Sequence, residues 1–590
     1  MTSRSSPGTR QNPAAGADLG AALGRAQTPQ SALQPNSPEP IWPHPQPYTA
    51  NLLRRLARGL SSWFGLLNEW DFRIGIGSIR CFGLELVLVN KPALVRQVLV
   101  EEPDSFPKHP YTQWILEPLI GRGIFAVNGA EWQRQRRLID QALQAAQLRR
   151  VFPLMEGAVQ AMLQRFDSQI AAQIANPTAG PITNPITDKI TSQSSDQAQT
   201  TEEEHESKES DLRFDAQEAM TLVTADVIVR TILSRPLHEE EATRIFAAFA
   251  RYQRRAGRLM LLRFLRLPRR WLQPMLQADA QLIRSWIATA IAERQRSRCS
   301  SPGSGSGGPD NAHKDLLDAL EQADDHTGAR STSATGGATA AARVAPMEPT
   351  PEAGEAAVSG ASASRFSQEE LIDQVCVLFL AGHETSASAL AMACYLLARY
   401  PEAQARFAEE IEQVRRGPTP QDCADRPRRP LGYDDLRRLP FGTALLQETL
   451  RLYPPLSFFI RKSQAQSQLG ESRCPMGALL VLSPWVIQRH EQHWSEPNSF
   501  RPERFLADQA NDAEKQWARD AYLPFGLGPR KCPGAAFALQ EALLVLAELV
   551  SRYELRGEPG QEPQLVGNLT LRSRNGVKLR LHRRKDAGTV

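Results

Sequence analysis

A glycine-rich loop that carries a single cysteine is the stretch of this chain whose residues point most directly to chemistry. It reads Phe525-Gly-Leu-Gly-Pro-Arg-Lys-Cys532-Pro-Gly and leads into an apolar, helix-like segment from Ala535 to about Tyr553. The first N–H groups of a helix are unpaired and carry a partial positive charge, which favours an anion at the cysteine. Two basic residues precede it. The loop therefore predicts a thiolate, the form of cysteine that binds metal or acts as a nucleophile.

The neighbours of Cys532 restrict the kind of metal site. No second cysteine or histidine follows at zinc-like spacing, which argues against a tetrahedral zinc site. A single thiolate is sufficient as the protein ligand of haem iron, and Gly526, Gly528 and Gly534 allow the backbone to turn tightly or to approach a flat partner. The alternative is a buried structural cysteine beside an ordinary glycine loop, and this stretch alone leaves both interpretations open.

A second candidate lies inside a long apolar helix. The helix is predicted to begin at Ser367, with a glutamate three residues later that completes a capping box, and to end near Tyr400. Its middle reads Ala-Gly-His-Glu384-Thr385-Ser. Glycine there costs about 1 kcal/mol relative to alanine, and threonine can bond to a carbonyl one turn back. We expect a local kink that leaves room for a small ligand beside a proton source, or a kink that serves packing only.

Three further patterns are weak when taken singly. Trp132 and Arg136 lie four residues apart in a basic helix and share one face. Glu448 and Arg451 form an i, i+3 pair, which is common on helix surfaces. Arg504 lies in a compact Pro-Glu-Arg-Phe turn.

Composition limits the class of protein. The chain has 590 residues, 41% hydrophobic residues, a net charge of +4 and seven cysteines without paired spacing, which fits a reducing compartment better than a disulfide framework. We see no signal sequence, no apolar run long enough to span a membrane and no nucleic-acid-binding motif. These features predict a cytoplasmic protein. Residues 1–48 are expected to be a disordered tail, and disordered insertions are expected at about 176–211 and 324–364.

The remaining pattern predicts a mainly α protein with small β-sheets (α+β). The segment from Asp71 to Asn90 alternates like a strand pair, and the segment from Leu565 to Leu581 predicts a hairpin with Asn575-Gly576 at its turn. Residues 251–271 combine eight arginines with leucines and a tryptophan. That composition favours a peripheral membrane contact or, equally, a helix pair whose arginines are solvated.

Taken together, in this order and spacing, the elements resemble the cytochrome P-450 superfamily of haem-thiolate monooxygenases. The resemblance implies one large haem-binding domain over 49–585, interrupted by the two insertions, with haem b as cofactor and Cys532 as its axial ligand. It implies that Glu384 and Thr385 deliver protons above the iron, and that Glu448, Arg451 and Arg504 form a structural triad. The implied haem-binding positions are Trp132, Arg136, Arg461, Phe525, Gly526, Arg530 and Gly534.

The resemblance also implies a reaction: insertion of one atom of O2 into a lipophilic substrate, with electrons from a separate donor. An acidic ferredoxin or flavodoxin-type donor is expected to dock on Arg134, Arg137 and Lys531. The expected pocket comprises Tyr111 to Phe125, residues 251–271, Phe379, Ala381 and Ser457 to Phe459. A peroxide-driven peroxygenase or isomerase and a non-catalytic helical scaffold are the alternatives. The chain departs from a common family pattern at Gln488-Arg489-His490.

Overall fold

The computed structural model describes residues 39–47, 52–59, 61–81, 83–175, 211–264, 273–299, 315–324, 364–416 and 429–584. All of them belong to one compact unit, Glu39–Val590. The predicted insertions lie almost entirely outside the described residues, as does the predicted N-terminal tail as far as residue 38.

Helices make up most of the described chain, as the sequence predicts. They are α1 (Leu52–Gly59), α2 (Pro92–Arg96), α3 (Pro110–Ile120), α4 (Gly129–Ala142), α5 (Ala145–Ala175), α6 (Ala216–Leu233), α7 (Glu239–Phe264), α8 (Pro274–Cys299), α9 (Leu316–Gln322), α10 (Gln368–Arg399), α11 (Pro401–Arg416), α12 (Pro440–Leu452), α13 (Pro484–Ile487), α14 (Asp512–Asp520) and α15 (Ala535–Arg552).

The strands form small sheets beside the helices. They are β1 (Ile76–Cys81), β2 (Leu84–Val89), β3 (Asp211–Asp215), β4 (Phe459–Lys462), β5 (Ser467–Leu469), β6 (Ser472–Cys474), β7 (Leu479–Leu482), β8 (Tyr553–Gly557), β9 (Leu565–Gly567), β10 (Leu571–Ser573) and β11 (Lys578–Arg583). A four-stranded sheet has the order β1-β2-β7-β4, a three-stranded sheet the order β3-β11-β8, and β9–β10 and β5–β6 are two-stranded. The strand pair predicted over Asp71 to Asn90 is confirmed as β1 and β2.

Helix α10 passes through the core and carries the predicted acid–alcohol pair. Its capping box is confirmed, since Ser367 Oγ accepts from the N–H of Glu370 and Glu370 accepts from the N–H of Ser367. Gly382 lets α10 approach α6, because a Cβ there would lie 2.4 Å from Ile228. By length and composition α10 is the one described helix that could cross a membrane, but most of its apolar window is buried inside the protein, as expected of a core helix.

The structure bears on three sequence predictions. Helix α10 is continuous across Gly382, and the expected local kink there stays a prediction. Ile41, within the predicted disordered tail, accepts a hydrogen bond from Tyr453 at 2.6 Å. The turn at Asn575 does not close a hairpin: β11 pairs with β3 and β8, while β10 pairs with β9. Asn575 instead accepts from the N–H of Gln564 at 2.7 Å.

Candidate active site

The cysteine loop folds tightly before α15. Gly526 adopts φ +70°, a backbone conformation that favours glycine, and a Cβ there would meet none of the described atoms within 4 Å. The N–H of Cys532 donates to the carbonyl of Phe525 at 2.9 Å. Cys532 is exposed, whereas the three other cysteines whose burial the structure describes, Cys376, Cys394 and Cys474, are buried. The loop therefore presents one accessible sulfur.

Although Cys532 is exposed as a residue, protein atoms crowd its sulfur, and their effect on the pKa opposes the thiolate that the sequence predicts. Burial by the surrounding protein raises the pKa of its thiol, while the N–H of Gly534, Arg136 and Lys531 act in the opposite direction. Local cations therefore do not by themselves make Cys532 a thiolate. A coordinating metal ion deprotonates a thiol outright, so ligation of iron does not require a low pKa beforehand.

A cluster of buried cations surrounds Trp132. Arg530 stands over the Trp132 ring at 5.1 Å and Lys108 Nζ at 5.9 Å. Burial, and then the fields of Arg461 and Arg530, lower the pKa of Lys108 to about 7. Burial, and then Arg530, lower the pKa of Arg461 to about 10. Three cations held this close indicate that an anion belongs among them.

The cluster suits the carboxylates of a haem group. The Nε atoms of Arg461 and Arg530 are buried without a hydrogen-bond partner among the described residues. Arg530 reaches Asp104 at 3.5 Å, but that carboxylate is 84% exposed. Buried donors without acceptors are costly, and propionate oxygens would satisfy them. Together with the accessible sulfur of Cys532, these orphan donors fit haem b.

Arg136 lies beside the cysteine loop. Its guanidinium binds Asp140 at 2.8 Å and donates to the Lys531 carbonyl at 2.5 Å. It therefore fastens α4 to the cysteine loop, and its predicted haem-binding role stays a prediction. Lys108, which sequence reasoning missed, joins the cation cluster because its backbone bridges to Arg461 of β4. A lysine and a histidine directly before the first proline of α3 are the sequence signal that could have drawn attention to it.

The acid and the alcohol on α10 have different surroundings. Thr385 Oγ1 donates to the Ala381 carbonyl at 2.5 Å, the back-bond that the sequence predicts. Glu384 is 2% exposed, accepts from Thr570 Oγ1 at 2.7 Å and pairs with Arg572 Nε at 3.1 Å. Burial opposes the charge of Glu384, but Arg572 and its other partners outweigh it and lower the pKa of the carboxyl. A buried carboxylate is thus held one residue before a hydroxyl.

The three predicted triad residues meet in the core. Arg451 donates to both oxygens of Glu448, at 2.7 and 2.8 Å, and Arg504 Nε lies 3.3 Å from Glu448 Oε1. All three side chains are almost completely buried. Arg451 also donates to the carbonyls of Gln488, Pro497 and Ser499. The triad therefore ties α12 to the segments that precede the cysteine loop.

The unusual Gln488-Arg489-His490 sequence is built into this framework. The amide of Gln488 donates to the carbonyls of Leu450 and Arg451 and accepts from the N–H of Leu523 at 2.7 Å. Arg489 stacks over Trp485 at 3.7 Å and donates to the Leu452 carbonyl. The departure from the common pattern thus keeps a buried polar network around α12.

Parts of the expected partner and substrate surfaces serve packing. Arg134 pairs with Glu370 at the start of α10, and Arg251 and Arg255 pair with Asp279 at 2.8 Å. Residues 265–272 of the basic segment lie outside the described residues. The remaining expected pocket residues also make internal contacts: Phe379 packs on Trp286, Ser457 donates to Pro454, and Phe458 packs on Trp63.

Comparison with known proteins agrees with this geometry. A family model described as cytochrome P-450 matches residues 76–193 and 354–579, more than half of the chain. Cyclooctatin synthase of Streptomyces melanosporofaciens is 38% identical over 195 residues, which cover 33% of this chain and 39% of that protein. Pentalenene oxygenase of Streptomyces avermitilis is 35% identical over 217 residues, which cover 37% of this chain and 45% of that protein. The matches thus span less than half the length of these curated relatives.

Solved structures show the same fold over nearly the whole chain. The crystal structure of a cytochrome P-450 named CYP102L1 covers 93% of this chain and 100% of its own, with a TM-score of 0.64 and 19% identity. This likeness concerns the fold alone, and it confirms the predicted α+β architecture. The family model carries the assignment: the chain belongs to the cytochrome P-450 family, whose cofactor is haem b.

Proposed function

We propose that this protein is a monooxygenase that inserts one atom of O2 into a C–H or C=C bond of a lipophilic substrate. The observation that carries the proposal is the accessible sulfur of Cys532 beside a cluster of buried, incompletely paired cations around Trp132. Haem, when bound with a thiolate ligand, supplies the oxygen chemistry. We assign Cys532 as its axial ligand and Lys108, Arg461 and Arg530 as the residues that hold its carboxylates.

The other site residues hold or move groups around the cofactor. Phe525, Gly526 and Gly534 shape the loop that presents Cys532, and Arg136 fixes that loop to α4. Glu384 stores negative charge beside Thr385, whose hydroxyl can hold a proton at Oγ1. Glu448, Arg451 and Arg504 stabilise the framework behind the loop. The retained acid–alcohol pair favours an O2-dependent enzyme over a peroxide-driven one, because peroxide already supplies the protons that the pair would deliver.

A terpenoid hydrocarbon is the substrate class that we propose. Two relatives carry names of terpenoid enzymes, cyclooctatin synthase and pentalenene oxygenase. Aromatic side chains such as Phe458 and Phe459 are partly exposed near the predicted pocket and would bind an apolar ring system.

Binding of a cyclic terpene hydrocarbon to the ferric holoenzyme should shift its absorption from the low-spin to the high-spin form. The reason is that an apolar ligand displaces polar solvent from beside the iron. A polyhydroxylated analogue of the same size is the matched control and should give a much smaller shift. If a broad library of lipophilic compounds gives no shift, the proposed substrate class is wrong.

We also propose that an acidic ferredoxin or flavodoxin-type protein supplies the electrons in the cytoplasm. Arg137 of α4 and Lys531 of the cysteine loop are exposed, whereas Arg134 is engaged with Glu370. Reduction by such a donor should slow as salt rises from about 0.05 to 0.5 M, because ions screen the attraction. The Lys531→Gln variant should show a weaker salt dependence than the Arg134→Gln control. A reduction rate that ionic strength leaves unchanged would contradict this donor class.

A further inference from the structure

Three buried polar atoms meet without hydrogen-bond partners just before Thr385. They are Nε2 of His383, Oε2 of Glu384 and Nε2 of Gln253, on side chains that are 0%, 2% and 4% exposed. None of the three has a partner at normal hydrogen-bond distance among the described residues, although the Gln253 amide lies near enough to Glu384 to help lower the pKa of that carboxyl. Buried atoms without such partners call for an explanation. The other oxygen of Glu384 is satisfied by Thr570 and Arg572. The unsatisfied side of the carboxylate is therefore the side that faces His383.

The position of the histidine proton follows from geometry. Nδ1 of His383 lies 2.5 Å from the carbonyl of Phe379, and a carbonyl oxygen only accepts, so Nδ1 carries the hydrogen. In the neutral ring Nε2 is then a bare acceptor. It lies 3.8 Å from Glu384 Oε2, another acceptor. Two acceptors at this distance do not bond, and about 4.5 Å would be needed for a bridging water with normal hydrogen bonds.

An aromatic box keeps the His383 ring in place and away from water. The rings of Phe246, Phe249 and Phe379 lie 6.0, 4.8 and 4.7 Å from it. The box is completed by α6, whose Thr224 donates to the His383 carbonyl at 2.9 Å. A ring held in this way can meet a proton at Nε2 only from the direction of Glu384.

The charged groups around His383 act in opposite directions. Burial is the largest influence and lowers the pKa of the imidazole, Glu384 on the same helix raises it, and Arg572 of β10 lowers it. Helix α7 contributes Gln253, which hydrogen-bonds Arg572 at 3.5 Å. The resting state is thus a neutral imidazole that faces a carboxylate, with one vacant position for a proton between them.

We propose that His383 and Glu384 form a proton-holding pair, in which one proton from solvent is shared between Nε2 and Oε2 before it passes toward the Thr385 hydroxyl. The proton converts two opposed acceptors into a donor and an acceptor, so that repulsion across 3.8 Å becomes attraction between opposite charges. His383 is a positioning residue, since it acts through Glu384. The inference rests on the proposed monooxygenase function for its purpose, but the pair itself is a property of the fold.

The first test is nitrogen NMR on histidine-labelled holoenzyme in the diamagnetic ferrous–carbon monoxide state, with His383→Phe and His383→Gln used for assignment. We expect the Nδ1–H tautomer at high pH and protonation of Nε2 as pH falls. Glu384→Gln should lower the midpoint by about 1 pH unit or more, because the attracting charge is gone. Arg572→Gln should raise the midpoint by a similar amount. The exposed His238 should respond identically in all three proteins.

Equal midpoints in the three proteins, shifts in the same direction, an Nε2–H tautomer or a His383 signal that does not respond between pH 5 and 9 would each overturn the proposal. These readouts need no substrate, so they stand even if the protein oxidises none of the compounds offered.

The second test measures coupling, the product formed per O2 consumed. His383→Phe should reduce it about 10-fold or more, the scale of a lost proton-transfer group, and should leave the substrate-induced spectral shift intact. Thr224→Val is the matched control, because the Thr224 hydroxyl bonds backbone carbonyls only, those of Met220, Thr221 and His383, and its coupling should remain near wild type. Equal coupling in wild type and His383→Phe would contradict the inference.

Discussion

Replacing Cys532 with serine should remove the thiolate signature of the reduced, carbon monoxide-bound protein and abolish substrate oxygenation. Serine keeps the size of the side chain and leaves the N–H to Phe525 bond intact, but its hydroxyl is a poor ligand for haem iron. The electron density that a thiolate donates to promote O–O cleavage is then lost. The measurement is the Soret band of the ferrous–carbon monoxide complex, which should move from the position typical of a thiolate to one typical of a neutral ligand.

The control for this experiment is Cys474→Ser. Cys474 is also a free cysteine, but it is buried in β6 and belongs to a small sheet that carries none of the assigned haem residues. The control should retain both the thiolate band and activity. Retention of the thiolate band by Cys532→Ser would show that another residue binds the iron, and a wild-type protein that takes up no haem would refute the whole assignment.

Replacing Glu541 with glutamine should stabilise the protein at alkaline pH and leave it little changed at pH 5. Glu541 of α15 is completely buried, and both of its oxygens lack hydrogen-bond partners among the described residues. Burial raises the pKa of this carboxyl to about 8, and the nearby Ser386 hydroxyl acts in the opposite direction. Sequence reasoning missed this residue, since one acid in an apolar helix gives no signal of its own.

The direction of this pH effect on stability follows from the linkage between protonation and folding. The folded protein keeps Glu541 protonated up to about pH 8, whereas the unfolded chain releases that proton above about pH 4.3. The contribution of Glu541 to the free energy of unfolding is therefore complete below its pKa in the unfolded chain. It is lost as pH rises through its pKa in the folded protein. Glutamine cannot ionise, so the variant escapes a loss of roughly 4 kcal/mol at pH 9.

Chemical unfolding of the holoenzyme at pH 5 and pH 9 measures this effect as the difference between wild type and variant. The exposed Glu402, in the first turn of α11, supplies the control Glu402→Gln, which should follow wild type at both pH values. If the stability of Glu541→Gln relative to wild type is the same at pH 5 and pH 9, Glu541 is not protonated in the native state.

The features that the sequence predicted well are local ones. The capping box at Ser367, the glycine turn before Cys532 and the back-bond of Thr385 each depend on residues within a few positions of one another. The Glu448–Arg451 pair is likewise fixed by helical spacing. Such signals survive folding because the partners are brought together by a single turn of chain.

The errors concern partners that are far apart in the chain. The Asn575-Gly576 turn has good hairpin chemistry, but β11 finds β8 and β3 as neighbours. Arg136 shares a helix face with Trp132 as predicted and binds Asp140 one turn along the same helix, but it also donates to the carbonyl of Lys531, 395 residues away. A pattern of spacings cannot rank distant partners of this kind.

By itself the sequence determined the family, the cofactor and the choice of Cys532 as the candidate metal ligand, because these depend on residue types at close spacing. Only the tertiary structure decided which cations gather around Trp132, that Arg572 and Thr570 hold Glu384, and that His383 Nε2 faces an unpaired oxygen. Lys108 and Arg461 are more than three hundred residues apart, and Glu384 and Arg572 nearly two hundred. Packing of the core brings these charges together, since burial in a common low-dielectric interior is what makes their mutual fields strong.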